Sequence, residues 1–404
     1  MRLSLFAALA GYRALPGLAG RTQLLLGILA RIPTAMLPLG TMVAFTDSTG
    51  SIAVGGLATG FLALATALGS PLIGRLADSF GPRLVLSLLA PVNGAALIAL
   101  CLTALLGWQG PALFALCAAA GLTSIPIGSF TRIRWSMLAP SSRELSAAFS
   151  YESTVDELIF VLGPALVGLA AAAAAPAAPL GIAAAFVLLA VLPFALVSPR
   201  AAGSSPQDDG NPAARRPGLL RTMLRVSPAL LAMISIGFFF GASQAAITER
   251  SAELGAPDAA GLVYALMGIG SATTAILAVA IPDRVPLAAR LAVGGTGMSL
   301  LTLATLAQGS LGATAIALLL TGLFLGPTLV TAFTAAEGLA PSGGIGVAMT
   351  SLQAAMTVGV SIGSAAGGVA ARDAGADGAY WLAAAAPLCV LVAAFAVARL
   401  RPRA

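Results

Sequence analysis

The sequence predicts an all-α integral membrane protein with twelve transmembrane helices in two pseudo-symmetric six-helix bundles. Of the 404 residues, 58% are hydrophobic and only 9% are charged, and the mean hydropathy is +0.97. A soluble globular domain has roughly 25% charged residues, so this chain has too few to cover a water-soluble core. Apolar runs of about 20 residues, the length that an α-helix needs to cross a bilayer, recur along the whole chain.

The missing residue types exclude several classes of protein. All 21 basic residues are arginine, and histidine is absent. A chain without lysine cannot form a P-loop or a Schiff base, and one without histidine cannot ligate haem or zinc through an imidazole. We therefore expect no cofactor, no metal site and no enzymatic activity. The three cysteines lie in apolar runs, where they are expected to be small packed side chains.

Hydropathy separates the twelve spans and the segments between them. The expected bounds of the spans are 22–46, 51–73, 84–107, 111–134, 146–174, 177–198, 227–249, 259–281, 288–308, 313–333, 345–371 and 378–398. The stretch between the sixth and the seventh span is polar and rich in proline and glycine, which is typical of a linker. The expected organisation is a cytoplasmic N-terminus at 1–21, a first bundle at 22–198, a cytoplasmic linker at 199–226, a second bundle at 227–398 and a cytoplasmic tail at 399–404.

The positions of the arginines predict the orientation in the membrane. If the N-terminus is cytoplasmic, eighteen arginines lie on the inner side, only Arg250 and Arg372 fall in outer loops, and Arg31 lies within a span. This positive-inside pattern predicts a bacterial inner (plasma) membrane protein with both termini in the cytoplasm. The net charge of +6 then comes from loop arginines, and no nucleic acid is expected as a partner. The N-terminal residues resemble a signal peptide, but the apolar run of about eight residues is short and cleavage would invert the pattern.

Pairs of matching residues indicate an internal duplication. Gly121 and Pro126 in span 4 recur as Gly322 and Pro327 in span 10. The further pairs are Pro140 with Pro341, Gly163 with Gly363, Gly168 with Gly368, and Asp78 with Asp283. Because the pairs keep one order and nearly one offset, they predict two copies of a six-helix unit. Span 11 also carries a stripe of small residues, Gly359, Gly363 and Gly367, which predicts close helix contact.

The strongest candidate for a functional site is a group of three acids in span 5. Glu152, Asp156 and Glu157 lie in a segment that continues as nearly pure hydrocarbon. An acid at membrane depth costs at least about 2.5 kcal/mol, so a helix that carries three is expected to use them. At 1.5 Å per residue, Asp156 and Glu157 lie about 15 Å deep, near the depth of Arg31 in span 1. Arg132 in span 4 is expected to reach the shallower level of Glu152.

These acids allow two interpretations. In the first, at least one carboxylate takes up and releases a proton; in the second, Arg31 and Arg132 form permanent salt bridges that lock the bundle. Three acids against two arginines leave one acid over, which favours the first. The matching positions of span 11 are Leu352, Met356 and Thr357, so coupling is expected to reside in the first bundle.

The segment after span 2 carries the motif of a known family. It reads Gly74-Arg-Leu-Ala-Asp78-Ser-Phe-Gly81-Pro-Arg83. This segment, which we expect to be a loop, resembles the signature of the major facilitator superfamily, although Ser79 stands where a basic residue is usual. The resemblance implies that superfamily's fold and a gating role for Asp78, with the N-terminus of span 11 near Ser342 to Gly346 as its dipole partner. The second-half copy keeps an acid and a base at Asp283 and Arg284 but lacks the glycines.

A second, partial resemblance concerns span 5. The segment Gly163-Pro164-Ala-Leu-Val-Gly168 matches part of a Gly-Pro motif found in the antiporter branches of the same superfamily. The resemblance implies a drug:proton-antiporter-like protein, and the motif's physical role is close helix packing with a proline bend. Plain helix packing without an antiporter role is the alternative.

Together these features predict a secondary active transporter, with proton-coupled efflux of a small hydrophobic or amphipathic compound by alternating access. Its expected partners are the small-molecule substrate, protons and the lipid bilayer, and it is expected to be a monomer. The residues expected to line the substrate cavity are Phe239, Gln244, Tyr264 and Gln353. An uptake permease or uniporter for a small nutrient is the main alternative. A non-transporting membrane sensor is a remote one, since it would be expected to carry a soluble domain.

Overall fold

The computed structural model describes residues 12–108, 110–198, 217–256, 259–282 and 284–400. Within these ranges the side chains of Ile52, Ala53, Glu157, Val161 and Pro164 are not described. The described residues contain eleven apolar helical stretches that are long enough to cross a membrane. Asp283 and most of the linker at 199–226 lie outside the described residues, so the structure does not bear on those expectations.

The last helical stretch accounts for two spans. Ile345–Leu400 has 56 residues, and at 1.5 Å per residue it would be about 84 Å long, against about 30 Å of bilayer hydrocarbon. Ala374 and Gly375 leave helical geometry with φ of −139° and 65°, and the chain turns back there. The described residues therefore form twelve spans, and the predicted all-helical fold is confirmed.

The first bundle comprises spans 1 to 6. Its helices are Arg21–Leu29 and Ile32–Thr49 for span 1, Ile52–Phe80 for span 2, Pro82–Leu105 for span 3, Pro111–Leu122 and Ile127–Leu138 for span 4, Ser142–Ala173 for span 5, and Ala178–Phe186 and Leu192–Val197 for span 6. A single π-helical stretch, Val187–Val191, joins the two parts of span 6.

The second bundle follows a short helix, Leu219–Arg225. Its helices are Ser227–Glu253 for span 7, Ala260–Leu277 for span 8, Leu287–Ala304 for span 9, Leu311–Leu339 for span 10, Ile345–Ala385 for span 11 and the start of span 12, and Leu388–Leu400 for the rest of span 12. The bundles meet where span 2 packs against span 11 and span 5 packs against span 8.

Two spans of the first bundle are broken, and the breaks position charged side chains. Span 1 turns at Ala30 and Arg31, just before Pro33, which has no backbone N–H to donate. Span 4 loses its helical geometry around Pro126 and resumes as Ile127–Leu138, the helix that carries Arg132. In span 10 the matching Pro327 lies inside an unbroken helix, so the two halves differ at this point.

The segment that the sequence predicts to be a loop after span 2 is helical in the structure. Span 2 continues through Asp78 to Phe80 and ends only at Gly81, whose φ of 86° strongly favours glycine. Pro82 then begins span 3, because a proline suits the first position of a helix. The connection is therefore a single residue, which fixes Asp78 on a rigid helix end.

Matching glycines make matching contacts in the two halves, as a duplication predicts. A Cβ added to Gly121 would collide with the backbone of Leu62 and Thr66 in span 2. One added to Gly322 would collide with the backbone of Met267 and Ser271 in span 8. The contacted residues are again 205 positions apart, as Asp78 and Asp283 are. The contact between spans 4 and 2 is thus repeated between spans 10 and 8.

Spans 7 and 11 are held together by glycines along much of their length. Added Cβ atoms at Gly237 and Gly241 of span 7, and at Gly359 and Gly363 of span 11, would collide with the backbone of the facing helix. The predicted small-residue stripe of span 11 therefore lies in a close helix contact. Van der Waals packing at this short distance is available only to residues without a side chain.

Replacing Gly241 by leucine is expected to lower the free energy of unfolding by about 3 kcal/mol, the upper end of the 1–3 kcal/mol that overpacking typically costs, because the new side chain meets backbone atoms. The new side chain would meet the carbonyl of Val360 and the backbone of Ser364. Gly368→Leu is the matched control, because a Cβ at Gly368 meets nothing within 4 Å. Thermal unfolding of the purified variants in detergent measures both, and equal melting temperatures would contradict the prediction.

Candidate functional site

Four charged side chains meet between spans 1, 4 and 5. Arg31, Arg132 and Glu152 are almost fully buried, with side-chain exposures of 5%, 1% and 2%, while Asp156 is 22% exposed. Buried charges at membrane depth are expected to pair, and these do. Two cations and two anions leave the group, hereafter the ion cluster, without net charge.

Arg31 lies at the centre of the ion cluster. Its guanidinium forms a salt bridge with Glu152, and its Nε lies 2.9 Å from Oδ1 of Asp156. It also donates to the carbonyl of Gly27 at 2.9 Å and to the hydroxyl of Thr131 at 2.6 Å. The break in span 1 allows this one side chain to reach both acids of span 5.

Arg132 pairs with Asp156 and not with Glu152, which differs from the sequence-based expectation. Its Nη2 lies 2.9 Å from Oδ2 of Asp156, and its Nη1 donates to the carbonyl of Gly128 at 3.1 Å. The guanidinium also stacks on Phe333 of span 10, with 3.7 Å between Cζ and the ring centroid. In the structure Asp156, and not Glu152, is therefore the salt-bridge partner of Arg132.

The two acids differ in their surroundings. Glu152 is enclosed: Nε1 of Trp135 donates to its Oε1 at 2.7 Å, and the Thr131 hydroxyl and Arg31 contact its Oε2. Asp156 bridges the two arginines and keeps contact with open space. Sequence reasoning missed Thr131 and Trp135; their spacing of four residues, on one helix face, with a buried indole N–H that needs an acceptor, was the available signal.

Glu157 lies on the same helix, but its side chain is outside the described residues. The argument that three acids face two arginines therefore stays a prediction. Within the described part of the ion cluster, each acid has an arginine partner.

Two small cavities of about 20 and 40 Å³ adjoin the exposed side of Asp156. Both also touch Phe160 of span 5 and Gln353 of span 11, and the smaller one is closed by Phe240 and Phe333. These residues come from both bundles, so the cavities lie between the halves. Asp156 is the acid of the described cluster that a solute or a proton in this central space can reach.

The predicted cavity residues fall in different places. Gln353 lines the central cavities, and Gln244 lines a wider groove of about 600 Å³ near the ends of spans 7 and 11 that carry Glu249 and Arg372. The Tyr264 hydroxyl donates to the carbonyl of Phe240 between spans 8 and 7. Phe239 is fully buried in the core, in contrast to the expectation, and its neighbour Phe240 lines the cavity instead.

The predicted packing motif of span 5 is realised at one of its glycines. A Cβ on Gly163 would collide with Ala35 of span 1, so the two helices touch there. Gly168 has open space around it, in contrast to the expectation, because it lies on the exposed face of the helix, while its neighbour Val167 still packs against span 1. The side chain of Pro164 lies outside the described residues.

The predicted partner of Asp78 is confirmed. Its carboxylate accepts hydrogen bonds from the backbone N–H groups of Gly346 and Val347 at 3.0 and 3.1 Å, at the N-terminus of span 11. The free N–H groups and partial positive charge of a helix N-terminus favour such an anion. Gly74 approaches Gly346 so closely that an added Cβ would collide. Arg83 is half-exposed in the first turn of span 3.

These contacts close one side of the molecule. We call it the arginine-rich side, because Arg21, Arg75, Arg143 and Arg221 lie near the helix ends there. Besides the Asp78 contact, the Ser129 hydroxyl donates to the carbonyl of Met349 at 3.0 Å, joining span 4 to span 11. The groove near Glu249 and Arg372 lies toward the opposite side.

Two helical bundles, a buried ion cluster within the first of them and a carboxylate that ties the two together at one side are features of a secondary transporter. The family profile described as Major Facilitator Superfamily matches residues 22–249, more than half of the chain. The protein belongs to the major facilitator superfamily, whose members carry small molecules. A comparison with curated protein sequences finds no match.

Solved structures of other transporters share the fold. A bacterial homologue of the iron transporter ferroportin, in an outward-facing state, has a TM-score of 0.72 at 16% identity and covers 94% of this chain and 98% of its own. The transporter FucP in the outward conformation gives 0.68 at 16%, covering 96% and 99%. The human organic anion transporter MFSD10 (TETRAN) gives 0.67 at 18%, covering 92% and 98%. At these identities the likeness establishes the fold alone.

Proposed function

We propose that the protein is a proton-coupled efflux transporter for a small hydrophobic or amphipathic compound, in which Asp156 carries the proton. The observation that supports the proposal is the position of Asp156. It bridges two buried arginines, yet 22% of its side chain faces cavities between the two bundles. An ionisable group inside a membrane protein that both pairs and reaches a cavity is typical of an ion pathway.

The cavity favours the proposed class of solute. Phe160, Phe240, Phe333 and Met356 line the smaller cavity beside Asp156, and Gln353 adds an amide. Aromatic and thioether groups suit an apolar body, while polar groups at one end of the cavity orient an amphipathic one. A bulky polar solute would find few hydrogen-bond partners among these residues.

Protonation of Asp156 would change how the helices are held together. A neutral carboxyl loses its two ion pairs, so the link from span 5 to spans 1 and 4 weakens at Asp156 while the pair of Arg31 and Glu152 remains. Arg132 also stacks on Phe333 of the second bundle. Release of Arg132 from Asp156 would therefore change a contact between the two bundles. In this way proton binding biases the equilibrium between two arrangements, as coupling requires.

The orientation follows from the charge asymmetry. We infer that the arginine-rich side is cytoplasmic, in a bacterial plasma membrane, because positive residues are retained on that side. With this orientation the contacts of Asp78 lie at the cytoplasmic side, and an outward-facing conformation is part of the proposal. A proton from outside could reach Asp156 in this state, as an exporter driven by inward proton flow needs.

An uptake permease or uniporter is the second candidate. The observation that favours it is that both described acids are paired with arginines, as in a permanent lock. The two candidates differ in their response when the proton gradient is collapsed. A uniporter continues counterflow of its solute without the gradient, whereas proton-driven uphill export stops.

Asp156→Asn, made together with Glu157→Gln, is expected to abolish uphill export in everted vesicles under an imposed pH gradient, while downhill movement continues. A carrier that binds no proton can only equilibrate its solute, so the concentration ratio falls to unity. The solute is a small amphipathic compound selected because it raises the melting temperature of the purified protein. Glu144→Gln is the control, since Glu144 lies at the start of the same helix beside Ser141. Uphill export by the double variant would refute the coupling role.

A further inference from the structure

A buried polar pocket lies on the other side of the ion cluster from the central cavities. It is lined by Gln23 and Arg31 of span 1, Arg134 and Trp135 of span 4, and Tyr151 and Glu152 of span 5. Its free space for the centre of a water molecule is about 10 Å³. Space of roughly 10–15 Å³ holds one water if two to four polar partners surround it.

Gln23 is the unexplained residue of this pocket. Its side chain is only 4% exposed, yet neither its amide nitrogen nor its amide oxygen has a hydrogen-bond partner in the protein. Buried side-chain polar atoms nearly always have a partner, so both atoms call for one. Arg134 also has buried atoms that lack a hydrogen-bond partner in the protein, namely Nε and Nη1. Its Nη2 donates to the carbonyl of Ala19 at 3.3 Å.

We propose that Gln23 and Arg134 hold a water molecule in this pocket and that this water exchanges protons between Glu152 and the arginine-rich side. The inference rests on the proposed function, which it extends. Asp156 opens to the central cavity and Glu152 borders the pocket, so the ion cluster has one acid toward each side. Gln23 is a positioning residue that orients the water and does not itself titrate.

The proton balance of this route is simple. A proton taken up by Asp156 passes to Glu152, which lies one helical turn away and shares the Arg31 guanidinium, once the rearrangement has closed the central cavity, so that no continuous proton path crosses the protein. Glu152 gives it to the water beside Gln23, and that water passes a proton to solvent at the arginine-rich side, beyond Arg134 and Ala19. No group is consumed. The charged and titratable groups that face Glu152 are Arg31 from span 1, Arg132 and Arg134 from span 4, and Tyr151 and Asp156 from span 5.

The protein carries its own reporter of this exchange. Trp135 donates its indole N–H to Glu152 at 2.7 Å, so its emission should change when Glu152 gains a proton. The other two tryptophans, Trp108 and Trp381, are 65% and 59% exposed and can be replaced by phenylalanine. A pH jump in a stopped-flow instrument then follows Glu152 through Trp135 alone.

In this background Gln23→Leu is expected to slow the relaxation of Trp135 emission after the pH jump about 100-fold, the low end of what a positioned proton-transfer group contributes. Gln23→Asn, which keeps the amide on a side chain one carbon shorter and adds no titratable group, is expected to restore the fast phase in part. Gln308→Leu, at the partly exposed end of span 9, is the control and should leave the rate unchanged. If Gln23→Leu does not fold, Gln23→Met, which keeps the side-chain length without polar atoms, takes its place.

Three results would overturn the inference: Trp135 emission that does not change with pH, equal rates in wild type and Gln23→Leu, or a fast phase that Gln23→Asn does not restore even in part. None of them bears on the proposed function, which depends on uphill export and Asp156. Loss of coupling in the vesicle assay would instead refute the proposed function, and the inference with it.

Discussion

Replacing Arg31 by methionine is expected to lower the free energy of unfolding by about 3–5 kcal/mol, the cost typical of removing one partner from a buried ion pair. The guanidinium of Arg31 contacts both acids of the ion cluster, and its side chain is only 5% exposed. Without it, Asp156 keeps Arg132, but Glu152 is left as a buried anion whose remaining partners are Thr131 and Trp135. Methionine fills the space of the aliphatic part of the arginine side chain, so the change in the free energy of unfolding comes mainly from the lost charge.

Denaturant or thermal unfolding of the purified protein in detergent measures this effect. Arg75→Met is the matched control, because Arg75 is exposed on the arginine-rich side and the exchange is the same. The double variant Arg31→Met with Glu152→Gln is expected to recover most of the lost stability, since it removes the stranded charge as well. If Arg31→Met is no less stable than Arg75→Met, the ion cluster does not hold spans 1, 4 and 5 together.

The sequence predicted the components of the ion cluster but not their pairing. A helix rises 1.5 Å per residue, so counting from the ends of the spans brings Arg31, Arg132 and the acids of span 5 to similar depths. Helix breaks at Arg31 and Pro126 interrupt this count, because residues outside a helix do not rise by 1.5 Å each. Hydropathy does not detect such breaks, because the residues on either side stay apolar.

Helix rotation explains the other differences. Phe239 and Phe240 are 100° apart around span 7, and only the packing of Gly237 and Gly241 against span 11 turns Phe239 into the core and Phe240 toward the cavity. Gly163 and Gly168 look alike in a motif, but five residues at 100° each place them about 140° apart around the helix, so only Gly163 faces span 1. The partner of Asp78 was predictable because a carboxylate at one helix end and free N–H groups at another attract each other wherever the fold brings them together.

Replacing Gly346 by leucine is expected to lower transport about 100-fold without unfolding the protein. A Cβ at Gly346 would collide with the carboxylate of Asp78. The carboxylate cannot move away without losing its hydrogen bonds to the N–H groups of Gly346 and Val347. If the clash costs the state closed on the arginine-rich side about 3 kcal/mol, its population falls about 100-fold, since each 1.4 kcal/mol is a factor of ten. A transporter that cannot close one side cannot complete its cycle.

If Gly346→Leu prevents closure of the arginine-rich side, the central cavity should stay open to that side. This result can be measured separately from the loss of transport. A cysteine at Gln353, in a chain whose three native cysteines are replaced by serine, reports this through labelling by a membrane-impermeant thiol reagent from that side. Labelling is expected to be much faster in Gly346→Leu than in Gly168→Leu, where the new side chain has open space. Equal labelling with equal loss of transport would mean that the substitution damages the fold. Equal transport would mean that the contact between Asp78 and span 11 does not close the cycle.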